Sequence, residues 1–304
     1  MTDQEKLQKA LDDLRSATGL DLHLNAEDSR DPEQTLSQLR QLSSAYKEKY
    51  NRDFFLQSIL GEAVSRPEID ARASRFHIDA HGERRLFLIA SRNVMDENFI
   101  ELLKNLFPSS HKYFIVRMDG QRIVLISPCK APGTDDAELT ARTVVDTISS
   151  ELMTSVQVAY SNLFSHLSDS AEAYSQTRLA IQIGRVFYPE YAVIPYNRLG
   201  IGGLIYRLPP ALCENFLREV FGVNPFDALD EELLTTVSRF FQNNLNIAET
   251  ARQLHMHRNT LIYRIEHIQK MTGLDIRIFE DALTFKLATM VINYLHAKKE
   301  NSYE

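Results

Sequence analysis

Apolar positions recur every three or four residues through the first part of the chain. Leu7, Ala10, Leu11 and Leu14 predict a helix over residues 3–17, and Gly19 is well placed to end it. A polar stretch at 26–33 interrupts the pattern. A second helix is then expected over residues 32–60, with Leu36, Leu39, Leu42, Tyr46 and Tyr50 in one stripe. Such a stripe suits a seam between two copies, and it equally suits packing on the chain's own core.

From residue 84 the period shortens. Residues 85–91, 113–118, 122–127, 156–161 and 191–195 are short and rich in β-branched or aromatic side chains, and they read as strands. Helical patterns at 96–107, 136–152 and 169–187 lie between them. Asp119, Gly120 and Gln121 separate the second and third strands, a hairpin signal because glycine readily takes a positive φ. The order β-α-β-β-α-β-α-β predicts an α/β domain on one mixed sheet. After Pro209 no strand pattern remains. Helices are expected at 210–221, 229–243, 247–254, 258–271 and 279–297, and Gly200, Gly202 and Gly203 ahead of them suit either a hinge or a tightly packed turn. The fold class is α+β and multidomain: an N-terminal helical region (1–80) suited to dimerisation, a central α/β domain (81–206) and a C-terminal all-α domain (207–304).

Composition narrows the class of protein. With 304 residues, 44% hydrophobic and 25% charged, the chain matches soluble globular proteins and excludes a disordered or collagen-like one. No apolar run approaches the roughly 18 residues that span a bilayer, and the charged start MTDQEKLQKALDDL is unlike a signal peptide, so a cytoplasmic protein with no membrane role is expected. Cys129 and Cys213 are too few for a disulfide framework or a cysteine zinc site. Charge is uneven: residues 1–239 hold 26 basic and 34 acidic side chains, whereas 240–304 hold 8 and 7. Escape from acidity at one end is compatible with nucleic-acid contact there, and the positions of the residues must decide.

The informative segment is NIAETARQLHMHRNTLIYRIEHIQKM, residues 246–271. Asn246 is a good N-cap, and Glu249 three positions on can close a capping box with it. Ile247, Ala251 and Leu254 face one way, and the small Ala251 permits close approach of another helix. A turn over 255–257 follows. On the next helix Leu261, Ile265 and Ile268 set the buried face, which leaves Arg258, Asn259, Thr260 and Tyr263 exposed at its N-terminal end. Arg and Asn can each grip a base edge with two hydrogen bonds, and Thr and Tyr suit phosphate or a thymine methyl. Two short helices, a tight turn and a polar, basic N-terminal face describe a helix-turn-helix, whose second helix enters the major groove. Spacing alone also fits an ordinary pair of antiparallel helices, with Arg264 merely pairing Glu249 or Glu266. His255 and His257 lack a third ligand nearby in sequence, so turn and cap roles are expected of them.

Residues 229–295 resemble the C-terminal helix-turn-helix domain of the PucR/CdaR family of bacterial transcriptional regulators. The likeness is carried by Thr250-Ala251, Leu254, His257-Arg258-Asn259-Thr260-Leu261, Tyr263-Arg264 and Thr272-Gly273-Leu274-Asp275. At His255 the chain departs from the small or glycine residue more usual in that family. Residues 84–206 resemble, by order and pattern, the degenerate GGDEF-like domain that precedes this module in many members. A cyclase of that fold would need a Gly-Gly-acidic-acidic-Phe run at the hairpin, where this chain has Met118-Asp119-Gly120-Gln121-Arg122, so neither enzymatic activity nor a cofactor is expected. The resemblance implies a sequence-specific regulator that binds double-stranded DNA as a homodimer or higher oligomer and answers to a small-molecule effector. Asn246, Thr250, His257, Arg258, Asn259, Thr260, Tyr263 and Arg264 are its expected DNA-binding residues. Two rival readings are a nucleotide-processing enzyme in residues 84–206, which no phosphate loop or metal cluster in the sequence supports, and a helix-turn-helix that docks protein. The second is disfavoured by a basic, polar face with only Ile262 as a large aliphatic beside it.

Overall fold

The computed structural model describes residues 3–18, 32–50, 52–61, 64–109, 111–129, 136–221 and 231–300. It divides into two compact units, one of residues 1–181 with 191–198, the other of 182–190 with 199–304.

The first unit opens with α1 (Asp3–Thr18), α2 (Pro32–Tyr50), α3 (Arg52–Gly61) and α4 (Arg66–Arg75). The single helix expected over 32–60 is therefore two. Leu7 and Ala10 are buried where α1 meets α2, whereas Leu42 is 56% exposed. Gly19 lies outside the described residues. The helix α4 was not expected, because its RPEIDARASR sequence is largely polar; a proline in the first turn and the buried Ile69 and Ala73 mark it in the structure.

The sheet follows: β1 (His81–Ala90), α5 (Glu97–Leu106), β2 (Phe114–Arg117), β3 (Arg122–Pro128), α6 (Ala137–Leu152), β4 (Gln157–Tyr160), β5 (Phe164–His166), α7 (Ser170–Phe187) and β6 (Val193–Pro195). Strands run in the order β2-β3-β1-β4-β6, with β5 paired to the start of β1. Among the described residues only β4 and β6 pair in parallel, so the sheet is mixed, as the element order implied. Phe87 and Ile89 of β1, Ile123 and Leu125 of β3 and Val158 of β4 form one core with Phe99 and Leu103 of α5 and Val144 and Ile148 of α6. Their neighbours Leu86, Leu88, Val124 and Ile126 are buried too, so both faces of the central strands are covered. Each such side chain contributes roughly 1.5–3 kcal/mol through burial. Two local expectations are corrected. The hairpin at 119–121 turns without a positive φ at Gly120; instead the Asp119 carboxylate accepts the Gln121 N–H at 2.8 Å and pairs with Arg122. β5, three residues long, extends the predicted strand order.

The second unit is all-α, as expected: the end of α7, then α8 (Gly200–Ile205), α9 (Pro210–Phe221), α10 (Glu231–Gln242), α11 (Ile247–Gln253), α12 (Arg258–Thr272) and α13 (Phe279–Glu300). The glycines at 200, 202 and 203 build a helix, and no hinge is needed to account for them. Gly200 starts α8 at φ +53°, and a Cβ on Gly202 would lie 3.0 Å from the Phe187 ring. The long α13 serves two cores. Its Ala282 and Phe285 pack with α10, α11 and α12, and its Ala288, Val291, Tyr294 and Leu295 pack with Ile205, Cys213 and Leu217.

Candidate nucleic-acid interface

α11, the turn after it and α12 form a rigid corner. Asn246 caps α11, its side-chain oxygen accepting the Glu249 N–H at 3.1 Å. The reciprocal half of the expected capping box is replaced: the Asn246 N–H donates to Asn243 O at 3.0 Å, and the Glu249 carboxylate accepts from Arg252 at 2.8 Å and Gln253 at 3.0 Å. The bond from Arg252 holds the Glu249 carboxyl below its usual range.

The turn is closed by Met256 N–H donating to Ala251 O at 3.0 Å, and it places His255 at φ +52°. That left-handed backbone accounts for the glycine more usual at this position, since glycine reaches it without steric cost, and it leaves His255 strained. His257, extended, caps α12 by accepting the Asn259 N–H on Nδ1 at 3.3 Å. Gly273 ends the helix in the left-handed conformation, its N–H donating to Gln269 O at 2.8 Å.

On α12, Leu261, Ile265 and Ile268 are fully buried. Arg258, Asn259, Thr260 and Tyr263 are exposed, Tyr263 at 68%, and their side chains make no hydrogen bond or ion pair among the described residues. The Tyr263 ring lies parallel to His267, with centroids 6.5 Å apart. The helix thus offers a first turn of unengaged side-chain donors and acceptors beside the positive end of the helix dipole, while His257 takes up the Asn259 and Thr260 N–H groups.

Two of the expected contact residues lie elsewhere. Thr250 is fully buried; its hydroxyl donates to Asn246 O at 2.7 Å and accepts from Asn243 at 3.2 Å. Arg264 turns toward α10, where it donates to Thr236 Oγ1 at 3.0 Å and pairs with Glu232, its side chain 22% exposed. The sequence suggested Glu249 or Glu266 as partners for it. Glu232 is 32 residues away, and no local spacing points to it. Both side chains hold the corner together and do not line its exposed face.

A further cluster went unread in the sequence. Asp70 of α4, His81 of β1 and His166 of β5 bring their ligand-type atoms within 4.8 Å of one another. The hydrogen bonds show how they are used. The Ser168 N–H donates to His166 Nδ1 at 3.0 Å, which places the ring proton on Nε2, and Nε2 then donates to Asp70 at 2.9 Å. That tautomer takes up both ring nitrogens, so the trio ties α4 to the β1–β5 pair and offers no lone pair on His166 for a cation.

The geometry defines a class, a GGDEF-like α/β domain together with a C-terminal helix-turn-helix. Residues 60–183 match the model of the GGDEF-like domain and residues 233–291 that of the PucR C-terminal helix-turn-helix domain. The C-terminal domain is thus of the PucR helix-turn-helix type and is preceded by a GGDEF-like domain. The chain is 26% identical over 142 residues to the purine catabolism regulatory protein of Bacillus subtilis (strain 168), covering 46% of this chain and 27% of that one. Over 133 residues it is 29% identical to the carbohydrate diacid regulator of Escherichia coli (strain K12), covering 43% and 34%. It is 28% identical over 149 residues to the proline-responsive transcriptional activator PutR of Bacillus subtilis (strain 168), covering 47% and 36%. The matched regions thus span between 27% and 36% of these relatives. Among the described residues no helix is long and apolar enough to cross a membrane.

Proposed function

We propose that this chain is a sequence-specific, double-stranded DNA-binding transcriptional regulator of the PucR/CdaR type, and that α12 is its reading helix. The observation that carries this is the exposed, unengaged set Arg258, Asn259, Thr260 and Tyr263 at the N-terminal end of a helix whose opposite face is fully buried. Arg258 and Asn259 address base edges in the major groove, while Thr260 and Tyr263 contact backbone or thymine methyls. Asn246 and His257, both exposed caps, lie at helix N-terminal ends, where the helix dipole favours a phosphate. One such helix covers only a few base pairs, so the working form is a homodimer or higher oligomer on paired half-sites, in the cytoplasm and under control of a small-molecule effector.

A nucleotide-processing role has little support from the hairpin that would carry it. The one carboxylate there, Asp119, is engaged by Arg122 and by the Gln121 N–H.

The test is fluorescence anisotropy of the purified chain against labelled fragments of its source genome at rising salt. Tight binding to a few fragments is expected, with an affinity that falls by orders of magnitude between 50 and 200 mM salt, as about 6–10 phosphate contacts would produce. Equal, weak binding to every fragment would remove the reading.

A further inference from the structure

The edge strand β2 forms the floor of a cleft between α3 and α5. Among the described residues its only strand neighbour is β3, so no described strand pairs with its other side. Peptide groups along an antiparallel strand point alternately toward and away from the partner. Met118 N–H donates to Arg122 O at 3.0 Å, so residues 118, 116 and 114 turn toward β3, and 117 and 115 turn away. Gln57 of α3 donates to Arg117 O at 2.6 Å and closes that end of the edge. The Ile115 N–H and C=O are left facing the cleft, a cavity of about 510 Å³.

The walls of this cavity are about evenly polar and apolar, and the apolar part forms one side for a ligand's body. Leu56 of α3, Ile100 of α5 and the ring pair Phe107 and Tyr113, with centroids 5.1 Å apart, supply that side. The volume falls in the range of small-molecule sites. Charge selects the kind of molecule. Arg52, Lys104 and Arg117 line the cleft against Asp53 and Glu97. Arg117 is already taken by Glu97 at 3.3 Å and by Asp96 O at 2.7 Å. Lys104 is exposed and has no ion-pair partner among the described residues.

We propose that this cleft binds a small organic anion with an apolar body, an aromatic or medium-chain carboxylate in chemical class. Its anionic group sits at Lys104, its body lies against Ile100, Leu56 and the Phe107–Tyr113 pair, and the Ile115 peptide supplies a polar anchor. An added peptide strand is a poorer fit, because β2 is only four residues long and Gln57 occupies one end of its edge. The binding is independent of the DNA-binding reading; naming the ligand an effector rests on that reading.

The probe is 8-anilinonaphthalene-1-sulfonate, which carries an apolar body and an anion, titrated into the full chain without DNA. Its uncharged relative N-phenyl-1-naphthylamine serves as control. One saturable site per chain is expected, displaced by octanoate, with the uncharged probe at least about tenfold weaker, as loss of a charge-assisted contact implies. Lys104→Glu, an exposed substitution, should weaken the anionic probe by about tenfold with an unchanged thermal melt. Ile100→Trp, which fills the cavity, should abolish binding. The proposal is overturned if the anionic probe does not bind saturably, if Lys104→Glu leaves its affinity unchanged, or if the uncharged probe binds as tightly. Should Ile100→Trp fail to fold, the Lys104 variant and the probe pair decide the matter.

Discussion

The guanidinium of Arg264 donates to the hydroxyl of Thr236 at 3.0 Å and so links α12 to α10. The same guanidinium pairs with Glu232. With Thr236 fully buried and Arg264 22% exposed, the link fixes the angle at which α12 is held. Removing it does not strand Thr236, whose hydroxyl still donates to Glu232 O at 2.9 Å. Arg264→Ala is therefore expected to cost about 1–2 kcal/mol in urea unfolding. Its effect on DNA affinity should be a uniform weakening across sequences. A change of base preference would show that Arg264 reaches the duplex itself.

His255 occupies a left-handed backbone at φ +52°, where a side chain is strained by about 1–2 kcal/mol relative to glycine, part of which glycine gives back in chain entropy. His255→Gly should be neutral or stabilising by up to about 1 kcal/mol, and His255→Val should destabilise. Thermal melts of the two variants check the turn geometry directly.

Asn246 is the sole side-chain cap seen for α11, through the Glu249 N–H. Asn246→Ala should lower stability by about 1 kcal/mol, whereas Asn246→Asp should retain most of it. Equal melting of wild type and the alanine variant would contradict the cap.

Asp275 follows the C-terminus of α12 and is bonded by Arg277 at 2.8 Å, which holds its carboxyl below the usual carboxylate range. A folded value below the unfolded one stabilises the folded state at every pH above the ordinary value near about 3.9, and this contribution is lost as pH falls through the folded value. Asp275→Asn should accordingly flatten the loss of stability below about pH 4 and leave its slope near neutrality unchanged. Urea midpoints measured from pH 6 down to pH 3 give both slopes.

Much of the C-terminal unit was legible because its information is local. Leu261, Ile265 and Ile268 are spaced at the helical period and are fully buried, and α12 ends at Gly273, close to the bound expected for it. The sheet was legible for the same reason, since each long strand carries its own run of apolar residues. What escaped notice depends on distant partners or short length. Phe164–His166 is a strand only because β1 is there to pair with it. Arg264 and Thr250 have the residue types of a DNA-binding face, and only the packing of α10 and the Asn243 side chain draws them inward. The Asp70, His81 and His166 cluster spans 96 residues of sequence and has no motif to announce it.

The most direct test of the account is selection of random duplex DNA by the wild-type chain and by Asn259→Ala, with sequencing of the bound pool. The wild type should enrich paired half-sites about one helical turn apart. The variant should bind the same sites with a loss of about 1–3 kcal/mol and no base preference at one position in each half-site. An identical enriched motif from both proteins, or none from the wild type, would contradict the claim that the first turn of α12 reads DNA.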